Sequence, residues 1–147
     1  PTLGRVQGLP IFKPPYNRLS AYDMNTGERI WWIPIGDTPE VVRNHPDLQG
    51  QDLSKTGGGG NSIQMVAGDL LYATEGSGGS PVLNAYDKQT GIFAGKVQLP
   101  SPGQYGMMTY IHKGQQHIVQ GLIGKLFVRS VVFTPETAPV EPHIPIR

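Results

Sequence analysis

The chain contains no cysteine. That one absence excludes disulfides, thiolate metal sites and cysteine nucleophiles together, although it does not fix the compartment. No apolar run approaches the roughly 20 residues a membrane-spanning helix needs. The first residues carry no signal-peptide pattern. For a chain that begins at Pro1 without an initiator Met, that says nothing about the parent protein, and a processed or excised piece is expected. Charge is sparse and balanced, with 12 Lys and Arg against 11 Asp and Glu, a net of +1. A nucleic-acid partner or an anionic membrane surface is therefore not expected. Helical periodicity is also scarce. What is plentiful is Gly, 20 residues, and Pro, 14. In a chain long enough to bury a core as one domain, that composition points to a turn-dense all-β structure rather than disorder.

The organising feature is a repeat. Ala21-Tyr22-Asp23-Met24-Asn25-Thr26-Gly27 recurs 64 residues later as Ala85-Tyr86-Asp87-Lys88-Gln89-Thr90-Gly91. Ala, Tyr, Asp, Thr and Gly hold the same internal positions. Each copy reads as strand, tight turn, strand: the aspartate accepts backbone N–H bonds and the glycine tolerates positive φ. A repeated hairpin with one shared turn is the mark of a blade in a radial β-architecture.

Taken in order, residues 1–15 read as irregular, with at most one short strand near Leu9–Phe12. A partial blade at 16–35 holds the first hairpin, Leu19–Tyr22 with Glu28–Ile35. Residues 36–61 form a long polar connection with one possible helical turn over Pro39–Arg43. A full blade spans 62–99: Ile63–Val66, a Gly68-Asp69 turn, Leu70–Ala73, then the second repeat. A further partial blade, 104–134, pairs Met107–Ile111 with His117–Leu122 and adds Lys125–Phe133. A Pro-rich tail, 135–147, is expected to be extended. The expected fold is thus all-β, a partial β-propeller of four-stranded antiparallel blades with one full blade flanked by incomplete ones. A propeller needs roughly four to eight blades, so the chain is expected to join the remaining blades of a parent protein or to self-associate through open strand edges.

The pattern Ala-x-Asp-x-x-Thr-Gly-x-x-x-Trp, met by Ala21, Asp23, Thr26, Gly27 and Trp31, resembles the tryptophan-docking motif of quinoproteins. These are the dehydrogenases that carry pyrroloquinoline quinone (PQQ) in an eight-bladed propeller. Val66–Tyr72, Leu83–Gly91 and Met108–Val119 resemble C-terminal blades of the same family, so the likeness covers about residues 19 to 125. It implies that Trp31 packs on the motif's alanine and reaches the neighbouring blade. Its second copy departs from the pattern, with Gly95 where tryptophan is expected, which implies a looser joint or one filled by another residue such as Phe93. The resemblance further implies PQQ beside Ca²⁺ in the central channel, a sugar or alcohol substrate, electrons passed to a respiratory acceptor, and a periplasmic parent, either free or anchored in the inner membrane.

No position matches the family's catalytic aspartate, and no metal ligand set is expected here. The residues expected to face the channel stand where the innermost strands begin: Gly60, Asn61 and Ser62 at one, Gly106, Met107, Met108 and Thr109 at the other. Consecutive glycines free backbone N–H groups to converge on a carboxylate; the same glycines also suit a plain linker, and Met at a strand start also suits a core. Other motifs fail. Gly76–Ser80 lacks the first glycine of a nucleophile elbow, since Glu75 stands there. Gly124-Lys125 lacks P-loop spacing. His112 and His117 flank a turn without a third ligand, and His45 and His143 lie in polar, Pro-containing segments. The chain alone is expected to be inactive. The alternative is a non-catalytic quinoprotein-like propeller that serves as a scaffold or interaction module.

Overall fold

The computed structural model describes residues 4–54, 56–58 and 60–122, and the backbone of 125–130. Strands β1 (Arg5–Val6) and β2 (Leu9–Pro10) pair across Gln7-Gly8, whose φ values of 52° and 88° allow a tight turn. The segment expected to be irregular therefore holds a small hairpin, and the Gln-Gly pair was its signal. Strands β3 (Arg18–Tyr22) and β4 (Arg29–Pro34) form a two-stranded sheet. The long connection that follows contains helix α1 (Glu40–Arg43), where one turn was expected, and a 3-10 turn at Pro46–Leu48.

Strands β5 (Gln64–Ala67), β6 (Leu70–Thr74), β7 (Val82–Asp87) and β8 (Phe93–Gln98) form a four-stranded antiparallel sheet in sequence order. Strands β9 (Gly103–His112), β10 (Gln115–Leu122) and β11 (Lys125–Ser130) form a three-stranded sheet with β10 in the middle. Strand β9 starts four residues before the expected Met107, because Gly103 opposes Leu122 across a bulge between Gln120 and Leu122. Two strands, then four, then three give a partial β-propeller: a full blade between two incomplete ones. The Pro-rich tail lies outside the described residues.

The blades are held face to face by the two-residue period of their strands. In β6, Tyr72 packs on one side with Leu83, Ala85, Leu99, Ile118 and Leu122, which joins the full blade to the β9–β11 sheet. Its neighbour Ala73 packs on the other side with Leu19, Trp31, Ile35 and Tyr86, which joins the full blade to the β3–β4 sheet. Both faces of the blade are thus covered, so β7 is buried at every position from Val82 to Tyr86. Antiparallel order also sorts the loops. The connection into β5, the 75–81 loop and the 99–102 link lie at one end of the strands, while the turns after β5, β7 and β9 lie at the other.

Candidate functional site

The two repeats fold alike down to single hydrogen bonds. In the first, the Asp23 carboxylate accepts from the Asn25 N–H at 2.7 Å, and Gly27 N–H returns to the Asp23 carbonyl at 2.7 Å with Gly27 at φ 74°. In the second, the Asp87 carboxylate accepts from Gln89 N–H at 3.0 Å and Thr90 N–H at 2.8 Å, and Gly91, also at φ 74°, returns to the Asp87 carbonyl at 2.8 Å. Both pairs of strands carry a bulge at the same place, after Ala21 and after Ala85. The bonds from Thr90 to its carboxylate hold Asp87 below the usual carboxylate range.

Trp31 opposes Ala21 across the β3–β4 sheet and projects onto the second repeat. Its indole is 5% exposed, and its Nε1–H donates to the Lys88 carbonyl at 3.1 Å. The ring lies on Gly91: a Cβ there would stand 2.9 Å from the indole Cδ2. Lys88 is itself fastened, its N–H donating to the Asp69 carbonyl at 3.0 Å and its Nζ to the Gly68 carbonyl at 2.8 Å. The tryptophan of one copy therefore docks into the Asp-x-x-Thr-Gly turn of the next. In the second copy Gly95 opposes Ala85, where no indole can form. Phe93 does not take its place: it opposes Tyr86, one residue on and hence on the other face, and meets that ring edge-on at 5.8 Å. Aliphatic packing among Leu99, Ile118 and Leu122 joins these blades instead.

Burial, and secondarily the Glu75 charge, push the Tyr86 phenol up to about 12. Glu75 accepts from the Ser80 N–H at 2.8 Å, so it braces the loop between β6 and β7. No sequence pattern marked this carboxylate, because its partners are set by the turn it closes.

The seven residues expected at the channel fall into two groups. Strands β5 and β9 are the first strands of their blades and approach each other, which places both groups along one edge of the assembly. The glycine run before β5 is packed backbone against backbone. Gly58 N–H donates to the Ile35 carbonyl at 2.9 Å, and Gly60 N–H to the Glu75 carbonyl at 3.2 Å. A Cβ at Gly58 would run into the Asp37 carbonyl, and one at Gly60 into the Ser77 carbonyl. Asn17, 41 and 43 residues away, spans the run by donating to the Gly58 carbonyl at 3.3 Å and the Gly60 carbonyl at 3.2 Å. The Ser62 hydroxyl donates to the Thr74 carbonyl, and Asn61 is exposed. On β9, Gly106 borders open space, Met107 packs against the core, and Met108 is exposed. Thr109 donates to the His117 carbonyl at 2.9 Å. His112 and His117 do approach, with ring centres 6.1 Å apart, but no metal-holding cluster forms among the described residues.

Stacked blades fastened by a tryptophan that reaches the next blade's turn define this chain as a section of a propeller wall. The sequence profile of the PQQ β-propeller domain of glucose, ethanol and alcohol dehydrogenases matches residues 1–118. The chain belongs to that family of quinoproteins. A probable quinate dehydrogenase (quinone) of Xanthomonas campestris pv. juglandis is 35% identical over 125 residues, 76% of this chain and 14% of that protein. The quinoprotein glucose dehydrogenase of Escherichia coli (strain K12) is 29% identical over 112 residues, 76% of this chain and 14% of that protein. The glycerol dehydrogenase large subunit of Gluconobacter oxydans (strain 621H) is 25% identical over 127 residues, 85% of this chain and 17% of that one. The chain thus spans between 14% and 17% of the length of these relatives.

The family's cofactor bears three carboxylates. The seven channel candidates contain no cation, and the Gly60 N–H and the Ser62 and Thr109 hydroxyls already donate within the fold. By themselves these residues do not make a PQQ site.

Proposed function

We propose that this chain is a wall section of a PQQ-dependent dehydrogenase that oxidises a sugar or alcohol and passes the electrons to a respiratory acceptor. The parent is a periplasmic protein that holds PQQ beside Ca²⁺. Membership in the PQQ β-propeller family over residues 1–118 carries this reading, and the Trp31 joint supports it by showing how one blade is fastened to the next. Remaining blades of the parent, or further copies of this chain, cover the open sheet faces. In the closed ring, Gly60, Asn61, Ser62, Gly106, Met107, Met108 and Thr109 stand at the channel. The exposed Asn61 amide is the group among them best placed to meet the cofactor, while the others shape the wall.

Two measurements test the proposal. The parent protein, reconstituted with PQQ and Ca²⁺, should reduce an artificial acceptor dye when given glucose, ethanol, glycerol or quinate; silence with all of them would overturn the dehydrogenase reading. The 147-residue chain alone, titrated with PQQ and Ca²⁺ by fluorescence, should bind weakly or not at all. Sub-micromolar binding would show that this section holds the cofactor by itself.

A further inference from the structure

The β9–β10 hairpin carries a side-chain cluster that neither the blade joints nor the channel candidates use. Its turn is Lys113-Gly114, with φ values of 49° and 76°. Two positive φ values in a row give the tight turn whose twist matches the strands it joins, so the register beside it is fixed. Gln115 stands opposite His112, and His117 opposite Tyr110. Facing residues of an antiparallel pair project to the same side of the sheet. Ile118 and Leu122 pack toward the full blade, so His117 and Gln115 project away from it, together with His112 and Tyr110. The two imidazoles differ in how firmly they are held. His117 is half-buried and stacks on the Tyr110 ring, with centres 5.0 Å apart and planes 10° apart. His112 is exposed beside the turn, its ring centre 6.1 Å from that of His117 and inclined at 63°.

We infer that His112 and His117 bind a transition-metal dication of the zinc or copper type, with the Gln115 carboxamide oxygen as third donor and water completing the shell. An ion that takes two imidazole nitrogens at about 2.0–2.1 Å in tetrahedral geometry puts the ring centres about 5 Å apart. A rotation of the exposed His112 ring closes the remaining distance, roughly 1 Å, while the Tyr110 stack keeps His117 in place. The donor chemistry selects the ion. Imidazole suits Zn²⁺ and Cu²⁺. Ca²⁺ and Mg²⁺ take oxygen ligands, carboxylates above all, and no Asp or Glu joins the two histidines in a group of three among the described residues. The same fact makes the site an open one, with positions left for water, and not a closed structural centre. All three donors lie on one hairpin, so the site needs neither another blade nor the dehydrogenase reading. The turn also puts them at the end of the sheet, where a blade laid over the middle of that face leaves them at the rim.

The test is a titration of the ¹⁵N-labelled 147-residue chain with Zn²⁺, followed through the imidazole ring signals. Zn²⁺ should shift the rings of His112 and His117 together, while that of His45 stays in place and Ca²⁺ moves none of the three. Cu²⁺ should bind more tightly than Zn²⁺, the order that nitrogen sites follow. His112→Ala, at an exposed position, should weaken Zn²⁺ binding about tenfold or more, the effect of removing one of two nitrogen ligands; Gln115→Ala should weaken it by less. Saturating Zn²⁺ should raise the melting temperature of the wild type and leave that of His112→Ala where it was, because only an ion bound to the folded hairpin stabilises it. Trp31 fluorescence confirms that each variant is folded. Shifts confined to one of the two rings, an equal shift at His45, an equal response to Ca²⁺, or unchanged affinity in His112→Ala would each overturn the site.

Discussion

Replacing Gly91 with Ala should destabilise the protein by more than the same change at Gly27, and the difference measures the blade joint. The two glycines occupy the same position of the repeat and share a φ of 74°. Either alanine must adopt the left-handed backbone, which costs roughly 1–2 kcal/mol. At Gly27 nothing lies within 4 Å of the added carbon, so that cost is the whole effect. At Gly91 the added carbon stands 2.9 Å from both Cδ2 and Cε3 of the Trp31 ring, so the indole must lift from its seat. Overpacking of this kind adds about 1–3 kcal/mol. In a domain of this size each kcal/mol moves Tm by about 2–4 °C, so thermal or urea melts resolve the gap. A third variant closes the argument. Trp31→Ala itself costs about 3–5 kcal/mol, the usual range for emptying a buried aromatic site. In that background Gly91→Ala should fall to the cost seen at Gly27, because the ring it collides with is gone. Coincident melts for Gly27→Ala and Gly91→Ala in the wild-type background would refute the docking account.

The remaining predictions address the glycine run, the buried phenol and the repeat turn. Gly60→Ala should prevent folding or cost several kcal/mol, on the order of the largest single-site losses, because its Cβ meets the Ser77 backbone; Gly106→Ala, with open space around it, should leave the melt within about 0.5 kcal/mol of wild type. Tyr86 has a pKa raised from 10.0 to about 12, so its contribution is intact below pH 10 and is lost as pH rises through 12. The shift corresponds to roughly 2–3 kcal/mol, and absorbance titration of the phenolate should show the late step in wild type and lose it in Tyr86→Phe. Asp87 has a pKa below its ordinary value of 3.8, so its share of stability is present above that value and disappears as pH falls below it. Asp87→Asn should flatten the acid limb of a stability-against-pH curve, and an unchanged limb would argue against the turn bonds to Thr90.

The sequence by itself determined the blade. Asp-x-x-Thr-Gly writes its own turn, since a carboxylate can reach N–H groups two and three residues on and glycine accepts positive φ wherever the chain is placed. The alternation of β6 and β7, and the Gly68-Asp69 turn, are equally local, which is why the order of two, four and three strands was legible before any coordinates. Trp31 was legible too, as the last letter of a pattern with a known neighbour. Its seat was not: that Gly91 lies beneath the ring depends on how one blade stacks on the next, and no spacing encodes it. The same holds for Phe93, whose side of the sheet was decided by the bulge after Ala85. The glycine run shows the contrast most clearly. As a string it suits an anion cradle or a plain linker; in the fold, carbonyls of Asp37 and Ser77 press on it and Asn17 spans it from far along the chain. Contacts across that separation come from packing, not from the run's own letters.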